Sequence, residues 1–103
     1  MTTIHDWETY PDICTIVFRE LTKERKLKIF EMSSRKNQHP ELIAYLKTPG
    51  LMMVGYNSIE YDYPITHFCL KNPNATYKEI YAESQRVINA EFSSIPEWNI
   101  MIP

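Results

Sequence analysis

No apolar stretch in the 103 residues approaches the ~20 that a membrane-crossing helix needs, so no transmembrane helix is expected. The opening residues, Met1-Thr2-Thr3-Ile4-His5-Asp6, have neither a basic region nor an apolar core, and no secretory signal is expected there. An excess of one charge is also missing. Eleven basic residues face thirteen acidic ones, for a net charge of −2. That balance excludes a protein that grips nucleic acid by charge alone, yet suits an enzyme that holds it through metal ions. Cysteine is scarce. Cys14 and Cys69 both sit in apolar runs and read as buried thiols of a reducing compartment, the cytoplasm, not as a disulfide. Repeats, low-complexity stretches and linkers are absent, and the chain fits one domain spanning residues 1–103. A chain of this size buries roughly 65% of its unfolded surface, enough for one core.

What is present is an alternation of strand and helix signals. Residues 4–8 are short and strand-like. Ile13-Cys14-Thr15-Ile16-Val17-Phe18 is apolar and β-branched, which predicts a strand buried on both faces. The charged stretch over residues 19–26 reads as a hairpin connection. Its basic members (Arg19, Lys23, Arg25, Lys26, with Lys28 beyond) are interleaved with Glu20 and Glu24, as on a solvated hairpin. Residues 27–32 return as a third strand. Pro40 suits the first turn of a helix, with Leu42, Ile43, Tyr45 and Leu46 on its buried side. Leu51-Met52-Met53-Val54 reads as a compact buried strand, and Gly55-Tyr56-Asn57 as the turn leaving it. Residues 64–70 are helical, with Ile65, Phe68 and Cys69 inward. Thr76 and Glu79 match a capping box, and Tyr77, Ile80, Tyr81, Ser84, Val87 and Ile88 then recur at helical spacing. The tail from residue 92 is irregular, then apolar at Ile100-Met101-Ile102.

The order is therefore β-β-β-α-β-α-α. Three strands joined by tight turns should be antiparallel. The strand after the first helix should return parallel to the first by a right-handed crossover. The fold class expected is α/β, a mixed sheet of three antiparallel strands plus one parallel strand with helices packed on it.

Two constellations carry chemistry. Asp6 and Glu8 stand two apart on a strand, so both side chains leave by the same face. Neighbouring carboxylates repel unless a cation lies between them or one takes a proton. Their oxygens suit Mg²⁺ or Mn²⁺. By itself this spacing more often marks two solvated acids at a strand end. The second constellation runs from Gly55 to Pro64 and includes Asp62 at a helix start. By itself Asp62 suits an N-cap. The parallel crossover brings it toward Asp6 and Glu8, and three converging acids at a sheet edge are costly without a metal.

Ile4-His5-Asp6-Trp7-Glu8-Thr9 resembles the first motif of DnaQ-like 3′–5′ exonucleases, and Asn57-Ser58-Ile59-Glu60-Tyr61-Asp62 resembles their second. The flanking pattern looks most like the N-terminal proofreading domains of phage-type DNA polymerases. The resemblance implies an RNase H-like fold and two-metal phosphodiester hydrolysis at a single-stranded DNA 3′ end. It implies catalytic and metal-binding roles for Asp6, Glu8 and Asp62, with Mg²⁺ or Mn²⁺ as cofactor. Asn57 and Tyr61 match positions that shape the nucleotide pocket, and Tyr56 is a further candidate for stacking on a base. The partner would be DNA or the remainder of a polymerase, in a bacterial or phage-infected cell.

The family's third motif, a Tyr or His followed four residues later by Asp, is missing, since Asp62 is the last aspartate. His67, four residues after Tyr63, reads as a helix-face histidine. His5 and Trp7 depart from the usual apolar neighbours of the first motif, and His5 either disturbs the site or points to the opposite face. The chain is thus expected to be a partial domain, a fragment or a naturally short relative, lacking the last strand and helix. Its fourth strand, Leu51 to Val54, should be an exposed apolar edge able to pair with a protein partner or a second copy. The alternative function is an inactive binding or inhibitor module built on the same fold.

Overall fold

A computed structural model describes residues 1–54 and 61–89. The elements are β1 (Thr2–Thr9), β2 (Ile13–Glu20), β3 (Leu27–Ser33), α1 (His39–Leu46), β4 (Met52–Val54), α2 (Tyr63–Lys71) and α3 (Tyr77–Asn89). They form an α/β fold with one four-stranded mixed sheet in the order β3-β2-β1-β4. β1 pairs antiparallel with β2, and β2 with β3. β4 joins β1 in parallel, Thr2 opposite Met52 and Ile4 opposite Val54. The predicted order and strand directions agree with this arrangement.

Local sequence accounts for the boundaries. β2 is built on Ile13, Thr15, Ile16 and Val17, whose branched side chains suit a pleated surface. Pro40 opens α1, where its missing N–H costs nothing. Gly50 adopts φ 76°, left-handed backbone that lets the chain turn from α1 into β4. α3 begins with the predicted capping box. The Glu79 carboxylate accepts the Thr76 N–H at 2.9 Å, and the Glu79 N–H reaches the Thr76 hydroxyl at 3.3 Å.

The core lies on one face of the sheet. Trp7, Cys14, Ile16, Phe18, Phe30 and Met32 pack there against Leu42, Ile65, Cys69 and Ile80 of the helices. The Trp7 indole donates to the Thr66 hydroxyl at 3.0 Å and ties β1 to α2. His39, fully buried at the start of α1, places its ring nitrogens 3.0 and 2.9 Å from the Ala75 and Cys69 carbonyls, so one side chain links α1 to α2 and to the connection before α3. Both cysteines are buried free thiols, pushed up by burial to about 11 at Cys14 and about 12 at Cys69.

Three expectations are corrected. β2 is buried on one face only; Thr15 and Val17 on the other are half-exposed, because every helix packs on the same side. β4 is not a buried strand. Met52 and Val54 are exposed, since they lie on the uncovered face at the sheet edge. Ile88 also faces out, at the last turn of α3. Among the described residues no helix is long and apolar enough to cross a membrane.

Candidate functional site

The alternation of β1 decides where its chemistry goes. Thr3, His5 and Trp7 point into the core, while Ile4, Asp6 and Glu8 point to the open face. Asp6 and Glu8 therefore share a face, as their spacing requires. Asp6 is raised above the ordinary carboxyl range. Partial desolvation is the main cause, followed by the charge of the neighbouring Glu8. Glu8 also accepts the Tyr10 hydroxyl at 3.2 Å.

Asp62 stands at the N-cap of α2, yet its side chain makes no capping hydrogen bond. It is 3% exposed and turned instead toward β1. Among the described residues β4 pairs with β1 as far as Val54 opposite Ile4. The nearby Trp7 backbone N–H favours the ionised Asp62 carboxylate, without forming a well-made hydrogen bond to it. Its carboxyl is nonetheless pushed up to about 6, chiefly by burial, then by the charges of Asp6 and Glu8. A carboxyl that titrates there can give or take a proton near neutral pH.

His5 is the unpredicted member. Its ring is fully buried, stacked 6.1 Å from Phe18 and tilted 5.6 Å from Tyr63. Its Nε2 lies 3.9 Å from Asp62 Oδ2, too long for a hydrogen bond. Neither ring nitrogen has a well-formed hydrogen-bond partner among the described residues. Burial pulls its pKa below the ordinary value, against a weaker pull from the Val54 backbone. Sequence alternation puts His5 on the opposite face from Asp6, but its approach to Asp62 depends on how the chain returns after β4, which no local pattern reports.

Tyr61 is half-buried, and its hydroxyl lies 2.6 Å from the Thr9 hydroxyl. This contact ties the start of α2 to the end of β1. Tyr63 donates to the Met53 carbonyl at 2.6 Å. Tyr56 and Asn57 lie outside the described residues, as does the apolar run at 100–102. His67 is half-buried and lines a groove of about 450 Å³ with Leu46, Leu51, Met53 and Leu70, away from the acids.

The fit to a metal can be tested on these positions. The charges of Asp6 and Glu8 reach Asp62. Even so, no group of three or more His, Cys, Asp or Glu side chains among the described residues is placed to hold one ion. The physical reason is orientation: two acids leave the open face, and the third is turned to the covered side beside His5. As they stand, the residues do not make a complete metal site. No family model, curated protein or solved structure matches the chain, so its function must be argued from this geometry.

Proposed function

We propose that the chain is an exonuclease-like domain of RNase H-like fold, related to the proofreading part of DNA polymerases. It would act on phosphodiester bonds at a DNA 3′ end where its acid cluster is completed. The observation that carries this reading is electrostatic: the charges of Asp6 and Glu8 on β1 reach the Asp62 carboxyl at the start of α2 and help to raise its pKa. The strand order, with β4 parallel to β1, supports it. In this reading the partners are single-stranded DNA and the remainder of a polymerase, in the cytoplasm of a bacterial or phage-infected cell. Mg²⁺ or Mn²⁺ would be held weakly, by Asp6 and Glu8, because Asp62 is turned away.

The test is calorimetric titration with Mn²⁺ alongside trimming of a 3′-labelled single strand. Weak Mn²⁺ binding abolished by Asp6→Ala is expected, with slow trimming lost in the same variant. Neither binding nor trimming at millimolar Mn²⁺ would remove the reading.

A second reading, an inactive binding module, is favoured by the open sheet face. Ile4, Leu27, Ile29, Met52 and Val54 are all exposed on it. Strand addition at β4 is a poorer version of that reading, because the Met53 carbonyl is already bonded to Tyr63. A stable complex without hydrolysis would distinguish this second reading from the first.

A further inference from the structure

We propose that the open face of the sheet docks a second copy of this chain. The strand register gives the layout of that face. One row crosses the sheet as Val54, Ile4, Arg19 and Leu27. The next runs Asp6, Val17 and Ile29, and the third Glu8, Thr15 and Glu31. Ile29, Leu27 and Val54 are 56%, 53% and 51% exposed, and Ile4 and Met52 lie between and beside them. An aliphatic surface that crosses all four strands marks an association site more often than a free surface.

The charges on the face say what fits. Arg19 is exposed and has no ion pair or side-chain hydrogen bond among the described residues. Asp6 and Glu8 have no cation beside them among the described residues, and the charge of Glu8 adds to the desolvation that raises Asp6. Glu31, by contrast, is already held by Arg35 at 2.8 and 3.0 Å. The surface thus carries both halves of an ion pair, Arg19 and Asp6, that are not joined to each other among the described residues. Nucleic acid is a poor occupant, because the free acids would face its phosphates. A second copy offers a complementary surface: an aliphatic sheet carrying an acid for Arg19 and a base for Asp6.

A two-fold axis parallel to the strands lays β2 of each chain over β1 of the other. Arg19 then lies over the partner's Ile4, the residue in its own row. Its guanidinium reaches the partner's Asp6, two residues or ~7 Å further along that strand. Leu27 meets the partner's Val54. Symmetry makes each contact twice, as an isologous interface requires. Face-to-face sheets pack in this way with their strands about 30° apart. This inference does not rest on the nuclease reading, although the dimer would cover Asp6 and Glu8.

The experiment is sedimentation velocity on the full 103-residue chain from about 1 µM to about 1 mM, a range that spans weak to moderate association. A dimer that weakens with added salt is expected. Arg19→Glu should weaken it by about tenfold or more, as should Leu27→Lys, both at exposed positions with circular dichroism as the check on folding. The swapped pair Arg19→Asp with Asp6→Arg should restore it. A monomer throughout the range overturns the proposal. So does a dimer indifferent to Arg19→Glu and Leu27→Lys. Failure to bind Mn²⁺ leaves the dimer standing, so the two readings fail separately.

Discussion

Replacing Asp62 by asparagine should make the protein more stable at neutral pH, the reverse of the usual effect at a buried polar residue. The Asp62 carboxyl is pushed up to about 6 by burial and by the charges of Asp6 and Glu8, from an ordinary value of 3.8. The folded chain therefore holds this proton more tightly than the unfolded chain. Below 3.8 both states are protonated and the group contributes its full stabilisation. Between 3.8 and about 6 the unfolded chain loses its proton first, and the advantage disappears. Above that window an ionised, nearly buried carboxylate is a net cost. The gap of about two pH units corresponds to about 3 kcal/mol at most. The asparagine side chain would keep the size and shape of the aspartate while removing the charge. Urea unfolding of both proteins from about pH 4 to about pH 7.5 is the assay. The stability of Asp62→Asn relative to wild type should rise by about 2–3 kcal/mol across that range. A difference that stays flat, or a variant less stable than wild type at the upper end, would refute the reasoning.

His39→Phe should lower stability by at least about 2 kcal/mol in urea unfolding, because the Ala75 and Cys69 carbonyls lose their buried partner. Trp7→Phe should cost about 1–2 kcal/mol, since the Thr66 hydroxyl loses its indole donor and a gap is left between β1 and α2. Glu31 gives the opposite pH sign to Asp62. Its carboxyl is lowered to about 2, first by the Arg35 hydrogen bonds and then by Ser33. Its contribution is present above 4.5 and lost as pH falls through about 2, so Glu31→Gln should differ from wild type at neutral pH and converge with it in acid.

Much of the fold could be read directly. The run of β-branched residues in β2, the capping box at Thr76 and Pro40 at the start of α1 are local signals, and each element formed where they lie. What could not be read was which faces stay bare. Ile13, Thr15 and Val17 look as buried as Cys14 and Ile16, because hydrophobicity does not count how many layers cover a sheet. His39 was invisible for a related reason. It stands in a polar stretch beside Pro40, and its importance comes from two carbonyls thirty and thirty-six residues away. At the candidate site, the shared face of Asp6 and Glu8 followed from period-two geometry. The position of Asp62 beside them followed only in part. The crossover brought it to the right edge, but its burial beside His5 is a tertiary placement that no local pattern reports.

That short pairing links the two readings of the protein. Among the described residues β4 pairs with β1 as far as Ile4, and His5 and Asp6 then leave opposite faces of that strand. Asp62 lies near both, 3.9 Å from the His5 ring and within reach of the charges of Asp6 and Glu8. Turning its carboxylate to the open face would release a burial cost of at most about 3 kcal/mol at neutral pH. A cation held by Asp6 and Glu8 would therefore favour drawing Asp62 across. A second copy packed over the same face would offer Arg19 instead. The nuclease reading and the dimer therefore compete for one acidic edge, and Mn²⁺ that binds there should shift the sedimenting species toward monomer.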